Sequence, residues 1–352
     1  MADVFINGRF LVRPITGVER FAIEIIKALI KQGVSVKIVA PVKAKKQKEI
    51  DAKFVVYSGI FSGHFWEQLI LPLFLKKQKK PLLLNLANTA PIIYSNKLVT
   101  LHDIAYHEHP EWFNKIFVLA YKILIPKILR TARFIFTVSE FSKKSICNVY
   151  GIEDAKIGII YNGLPEVFLQ AKPEKKLFDF NYVLTVGSIQ PRKNLLRLIK
   201  AYNQLQNPEF KLVVVGGSNK IFSNIGNKDI THSSEIIFLD RVNDAELASL
   251  YKYCNKFVYP SLYEGFGLPV MEALHFNCNV YISDIPVFKE LFLDAVYFFN
   301  PTDINDISEK LLANNLKKDK ITVLNKIKSY NFTHSATISK ENIERIKSSI
   351  RS

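Results

Sequence analysis

Two glutamates, Glu264 and Glu272, bracket a glycine-bearing loop in SLYEGFGLPVMEAL (261–274). Gly265 and Gly267 let backbone N–H groups approach a ligand closely. Pro269 suits the first turn of a helix, so the spacing predicts a helix beginning at about Leu268–Pro269. A glycine loop feeding a helix N-terminus is an anion site that favours phosphate, and the two carboxylates would border it on either side. Upstream, TVGSIQPRKNL (185–195) places Arg192 and Lys193 shortly after Gly187. A guanidinium that forks onto oxygens and an ammonium that acts as a point charge suit a diphosphate together. The plainer alternative is a tight turn with Glu272 on the helix dipole, plus a surface basic pair with Asn194 capping the next helix. The two blocks occurring together favour the site.

Other candidates are weaker. His102–Asp103 ends the apolar run KLVTL (97–101), where an imidazole can hydrogen-bond a ligand hydroxyl or titrate near neutrality, but a lone histidine is more often structural. His107, Glu108, His109 and Glu111 stand close together, yet nothing in their spacing fixes a metal geometry, and no metal site is expected there. Ser139 with Glu140 and Ser142 reads as a helix cap.

The elements that must position these residues alternate. Strand-like runs are VFI (4–6), VSVKIVA (34–40), PLLLNLA (81–87), KLVTL (97–101), FIFTV (134–138) and IGII (157–160). They continue as YVLTV (182–186), KLVVVG (211–216), IIFL (236–239), KFVY (256–259), NVYI (279–282) and VYFF (296–299). Short and apolar on both faces, they suit buried parallel strands. Between them lie helical patterns such as Val18, Phe21, Ile25 and Leu29. The reading is an α/β chain of two Rossmann-like, doubly wound parallel-sheet domains facing across a cleft, with ligands at the carboxyl ends of the strands. The polar stretch QAKPEKKLFDFN (170–181) sets the expected domains at 1–172 and 173–352, with the last helix free to return to the first. Asn162–Gly163 reads as the turn into the connection.

Composition narrows the class. The 352 residues are 48% hydrophobic and 23% charged, which excludes disordered and fibrous chains. The net charge is +16, and residues 1–172 hold +12 of it. That excess points the first half at something anionic, with KAKKQK (43–48) and KKQKK (76–80) its densest runs. No nucleic-acid-binding motif appears. Cys147, Cys254 and Cys278 are too few and scattered for a disulfide framework. The start lacks a secretory pattern. The apolar runs 69–75 and 116–129 are broken by Pro72, and by Lys122, Pro126 and Lys127, so neither spans a membrane. A soluble, cytoplasmic protein is expected.

The blocks PRKN (191–194) and EGFGLPVME (264–272), in this order, resemble the family 4 ("group 1") retaining, nucleotide-sugar-dependent glycosyltransferases of GT-B fold. INGRFLVRPITGVERFA, FWEQLILP, VTLHDIAYHEHPEWF, RFIFTVSEFSK and IIYNGL are similar to stretches of bacterial polysaccharide-assembly members, so the resemblance spans nearly the whole chain.

The resemblance implies an acceptor-binding first domain and a donor-binding second one, working in capsule, O-antigen or exopolysaccharide synthesis. Arg192 and Lys193 match the pair that neutralises the donor diphosphate. Glu272 matches the glutamate on the ribose hydroxyls, and Glu264 the one against the transferred sugar. The backbone at Phe266, Gly267 and Leu268 would meet phosphate or sugar, with Gly187 beside it. Gly17 matches the glycine that admits the donor to the first loop, and His102 the histidine beside sugar and acceptor. Two positions depart: Thr16–Gly17 replaces a Gly-Gly pair, and Ser188 stands where relatives have arginine. The substrates implied are a nucleoside-diphosphate sugar and a glycan or lipid-diphosphate-linked acceptor. No cofactor or metal is expected, because the chain lacks an Asp-x-Asp motif and its cations can do a metal's work. Peripheral contact with the anionic inner face of the cytoplasmic membrane is one reading of the basic first half and of Phe113–Arg130; the other is that this helix packs inside the first domain and the basic runs face water. That stretch reads as amphipathic, with Ile116, Phe117, Ala120, Leu124 and Ile128 along one side. The alternatives are a sugar-nucleotide epimerase of the same fold, or a non-catalytic assembly subunit.

Overall fold

Runs of valine, isoleucine, leucine and phenylalanine with no polar face are buried on both sides, and they form parallel strands here. The computed structural model describes residues 3–46, 48–173, 175–216, 235–314 and 317–351. It divides into one unit of Met1–Asn162 with Asn331–Ser352, and a second of Gly163–Tyr330.

The first unit holds a seven-stranded sheet: β1 (Val4–Asn7), β2 (Val36–Ala40), β3 (Val55–Tyr57), β4 (Leu83–Asn85), β5 (Lys97–Thr100), β6 (Phe134–Thr137) and β7 (Ile157–Ile159). Their order is β3-β2-β1-β4-β5-β6-β7, parallel throughout. The helix Gly17–Lys31 buries Phe21, Ile25 and Leu29, the row its spacing predicts. The C-terminal helix Phe332–Arg351 belongs to this unit. Phe332 meets Phe21 edge-on at 6.1 Å, Gln32 Nε2 donates to the Thr333 carbonyl at 2.8 Å, and Ser335 donates to the Tyr161 carbonyl at 2.7 Å.

The second unit holds six strands: β8 (Tyr182–Val186), β9 (Lys211–Val215), β10 (Ile236–Leu239), β11 (Lys256–Tyr259), β12 (Val280–Ser283) and β13 (Tyr297–Phe299). They are ordered β10-β9-β8-β11-β12-β13, again all parallel. The helix Leu195–Asn203 packs Leu198, Ile199 and Tyr202 into a core with Val183, Val214 and Val258. Strand order reverses between β1 and β4 in one sheet and between β8 and β11 in the other. Ligands of doubly wound sheets bind at the carboxyl ends of such switch points.

Three differences from the sequence reading have physical reasons. The units part at Asn162/Gly163, ten residues before 172/173, because Leu164 and Phe168 pack against Ala248 of the second unit. Val55–Tyr57 adds a strand at the edge of the first sheet, too short to stand out among polar neighbours. The helix Lys115–Thr131 is turned relative to the expected apolar side: Val118, Ile125, Ile128 and Leu129 are buried, while Ile116, Leu119 and Ile123 face outward.

Candidate functional site

At the second unit's switch point, β8 ends at Val186 and Gly187 follows, its N–H donating to the Val215 carbonyl at 2.9 Å. A Cβ built on Gly187 would sit 3.6 Å from the Lys193 side chain, so the chain turns here with the lysine stem laid against it. The turn Pro191–Lys193 ends at Asn194, a left-handed residue at φ 56°. The plainer alternative has the Asn194 side chain cap the next helix, and it makes no such bond. Its side chain instead donates to the Pro260 and Pro301 carbonyls, at 3.0 and 2.7 Å. It ties the basic turn to the loop after β11, as does Leu262 N–H, which donates to the Arg192 carbonyl at 2.8 Å.

These ties bring the two sequence blocks together. Lys193 Nζ lies 2.6 Å from Glu264 Oε1, and Arg192 Nη1 lies 3.5 Å from Glu264 Oε2. Tyr259, the last residue of β11, closes a triangle: its hydroxyl accepts from Lys193 at 2.6 Å and donates to Glu264 Oε1 at 3.0 Å. Glu264 is buried, at 6% exposure, rather than solvated. Burial pushes its pKa up, but Lys193 and Arg192 outweigh that and hold it below the ordinary carboxylate range. The three charged side chains sum to +1, and Arg192 remains partly exposed.

Beyond Glu264 the loop runs into the helix Leu268–His275. Gly267 has φ 107°, which side-chain-bearing residues avoid, and a Cβ there would stand 2.7 Å from Phe288. Both conditions demand glycine. The Phe266 side chain is buried against Phe292 and Tyr330, leaving only its backbone for a ligand. Glu272 is also buried, and the Tyr251 hydroxyl donates to its Oε2 at 2.8 Å. In sequence Tyr259 is only the last residue of the strand run KFVY, and Tyr251 belongs to no candidate block. No sequence signal singles out these phenols, since a buried hydroxyl's partner shows only in the fold.

Gly17 and His102 belong to the first unit. Gly17 heads the helix Gly17–Lys31 behind Thr16, which forms a capping box with Glu19. Beyond its chain neighbours and its own helix backbone, nothing described lies within 4 Å of where its Cβ would be. His102 is buried, its Nε2 3.0 Å from the Leu86 carbonyl and its ring edge-on to Phe21 at 4.7 Å. Burial lowers its pKa, so the imidazole is neutral at physiological pH. Ser139 caps the helix Glu140–Tyr150 by accepting from Ser142 N–H. His109 stacks on Trp112 and pairs with Glu111, while His107 meets Tyr150. Cys254 and Cys278, far apart in sequence, have Sγ atoms 3.6 Å apart as free thiols.

Residues 169–328 match the family model described as "Glycosyl transferases group 1", and residues 15–166 that described as "Glycosyltransferase Family 4". The chain belongs to the group 1 glycosyltransferases. Among relatives of this group 1 chain, the O-antigen chain mannosyltransferase RfbU of Salmonella typhimurium is 31% identical over 242 residues, 68% of this chain and 65% of the relative. The O-antigen chain mannosyltransferase B of Escherichia coli is 29% identical over 229 residues, 61% of this chain and 60% of the relative. The matched region thus spans just under two thirds of either relative. The sucrose-phosphate synthase structure from Thermosynechococcus elongatus shares the fold with a TM-score of 0.75 at 16% identity, covering 98% of this chain and 99% of the other. The Anabaena Alr3699/HepE structure in complex with UDP and glucose does so at 0.73 and 16%, over 97% and 99%. The two parallel sheets are those of the GT-B fold.

Proposed function

We propose that the protein is a retaining glycosyltransferase that moves a sugar from a nucleoside diphosphate to a glycan acceptor in O-antigen-type polysaccharide synthesis. The observation that carries this reading is the Arg192–Lys193 pair converging on buried Glu264 at the second sheet's switch point. Breaking a sugar–diphosphate bond puts negative charge on the departing phosphate. Fixed cations and the N–H groups at the start of the Leu268–His275 helix stabilise that charge without reorganising. Glu264 lies against the transferred sugar in this reading and Glu272 holds the ribose hydroxyls. Neutral His102, held by the Leu86 carbonyl, lines the acceptor side. The cations act in place of a metal, so activity survives EDTA. The RfbU and mannosyltransferase B names support mannose as the first sugar to test. The test is a panel of UDP- and GDP-sugars with lipid-diphosphate-linked glycans. Release of nucleoside diphosphate that depends on acceptor and gives a product of retained anomeric configuration supports the transferase. Sugar interconversion without acceptor would make it an epimerase.

The finer reading is a lipid-diphosphate-linked acceptor met at the inner face of the cytoplasmic membrane. Its support is an outward apolar face on the first unit. Phe61, Phe65, Leu69 and Leu73, four residues apart, are all exposed, Leu73 at 59%. Across the His64–Tyr121 ring contact, the helix Lys115–Thr131 exposes Ile116, Leu119 and Ile123, Ile116 at 79%. Lys76, Lys77, Lys79 and Lys80 follow the first row. Of KAKKQK, residue 47 and the side chains of residues 45 and 46 lie outside the described residues. Among the described residues no helix is long and apolar enough to cross a membrane. An apolar row edged by lysines suits lying in an anionic interface, each lysine adding about 1 kcal/mol. Liposome co-sedimentation tests it. Binding should need anionic lipid, fall with salt, and weaken when the four lysines become glutamine. Salt-insensitive binding, or none, removes the membrane from the reading.

A further inference from the structure

Each glutamate of the 264–272 block is held by a buried tyrosine that comes from a different element. Tyr259 ends β11, is 2% exposed, and its ring lies 5.8 Å from Phe257 and 6.0 Å from Phe288. Its hydroxyl has one proton. Because it accepts from Lys193, that proton goes to Glu264 Oε1, completing a directed chain from ammonium to phenol to carboxylate. Tyr251 lies on the helix Asp244–Tyr253 and is fully buried. Its ring stacks on Phe276 and meets Phe257 edge-on, and its hydroxyl donates to Glu272 Oε2. Both phenols are pushed well above their ordinary range, by burial first and by the facing carboxylate second, so both stay donors across the physiological range.

We infer that the two tyrosine hydroxyls are positioning residues that divide the labour of the two glutamates. Tyr259 fixes Glu264 and Lys193 as one unit at the reacting end of the donor, and Tyr251 fixes Glu272 for the nucleoside end. The inference rests on the donor-site reading of this loop and names how its carboxylates are aimed. A carboxylate on a flexible stem must be held in one rotamer to act on a sugar or a ribose. Ring packing makes each phenol a rigid anchor, and a hydrogen bond to a charged group is the stronger kind. The clamps reach their glutamates from separate elements, so loss of one leaves the other in place. Tyr259 also touches a cation as well as a carboxylate, which couples Glu264's position to the charge that would face the leaving diphosphate.

The experiment uses Tyr259→Phe and Tyr251→Phe, which keep the packed ring and remove only the hydroxyl. UDP and GDP affinity is read by calorimetry, and donor turnover by hydrolysis of the matching nucleotide sugar at saturation. Tyr259→Phe should lower kcat about tenfold or more, with nucleotide Kd within about twofold of wild type. Tyr251→Phe should raise Kd about tenfold with kcat at saturation nearly unchanged. In a Glu272→Gln background, Tyr251→Phe should add nothing, because it acts through that glutamate. A general structural role would lower the melting temperature of both variants and move both parameters alike. That result, or additive losses from Tyr251→Phe and Glu272→Gln, overturns the inference. A wild-type protein that binds neither nucleotide and hydrolyses no nucleotide sugar overturns the donor reading itself, a separate result from a failed division of labour.

Discussion

The two switch points bury the same kind of group to different ends. In the second unit Glu264 faces two cations, one of them partly exposed, and the cluster keeps a positive remainder. In the first unit, at the carboxyl ends of β1 and β4, Glu67 is buried and accepts from Asn7 at 2.7 Å, Arg9 at 3.0 Å and Thr89 at 2.8 Å. His64 Nδ1 lies 3.4 Å away. Asn7 also donates to Asn85, and Arg9 Nη2 to Thr89. One guanidinium meets one carboxylate, the amide of Asn7 and the hydroxyl of Thr89 complete the carboxylate's contacts, and Arg9 Nη1 is buried without a hydrogen-bond partner among the described residues. A charge-balanced pair at this place holds helix to sheet, whereas a cluster with a positive remainder has charge to offer a ligand. Position in the fold marks where a site can be, and charge balance separates the place proposed for an anion from the other.

The comparison breaks first through stability. Glu67→Ala leaves Arg9 buried without its counter-charge and should cost about 3–5 kcal/mol, read by denaturant unfolding. If the loss is under about 1 kcal/mol, the first network is not the structural one. Next in size, Lys193→Ala or Arg192→Ala should lower donor turnover by roughly two to three orders of magnitude while changing stability far less. Equal damage to folding and turnover would erase the distinction between the two places.

A smaller test uses acid. Burial raises the pKa of Glu67 and of Glu264, and their partners more than reverse it: His64, Arg9, Thr89 and Asn7 for the first, Lys193 and Arg192 for the second. A folded pKa below the unfolded value gives stability that is fully present above about 4.5 and lost as pH falls through the folded value. Both Glu67→Gln and Glu264→Gln should therefore flatten the acid limb of the stability curve measured between pH 6 and 2. An unchanged acid limb in both would show that neither carboxylate is held ionised. The smallest expected effect is on binding. Glu272→Ala should weaken nucleoside diphosphate about tenfold, while Glu264→Ala leaves affinity nearly unchanged and lowers turnover. Equal loss of affinity in both would sink that division.

The second site was legible because its charged members lie in two short blocks, 191–194 and 264–272, each directly after a strand. A parallel sheet brings such blocks together whenever their strands are neighbours, as β8 and β11 are. Tyr259 and Tyr251 were not legible as site residues, since an aromatic residue in an apolar run reads as core until its hydroxyl's partner is known. The first network was illegible for a different reason. Asn7 with Arg9, Glu67, and Asn85 with Thr89 come from three separate stretches, and only the paired strands β1 and β4 with the packed 63–77 segment unite them. INGR and FWEQ could be noted as similar to family stretches, but no spacing rule ties Arg9 to Glu67. The strand runs themselves were plain, because apolar residues dominate a buried parallel strand even where Lys37, Asn85 or Lys97 lies within it. The short edge strand β3 lacks that contrast.

Thermal melting with and without nucleoside diphosphate, in the wild type and in Lys193→Ala, bears most directly on the second switch point as the donor diphosphate site. A ligand that binds the folded state raises the melting temperature by mass action. UDP or GDP should raise it for the wild type in the presence of EDTA, and the rise should be largely absent in Lys193→Ala. An equal rise in both proteins, or none in the wild type with either nucleotide, would contradict the account.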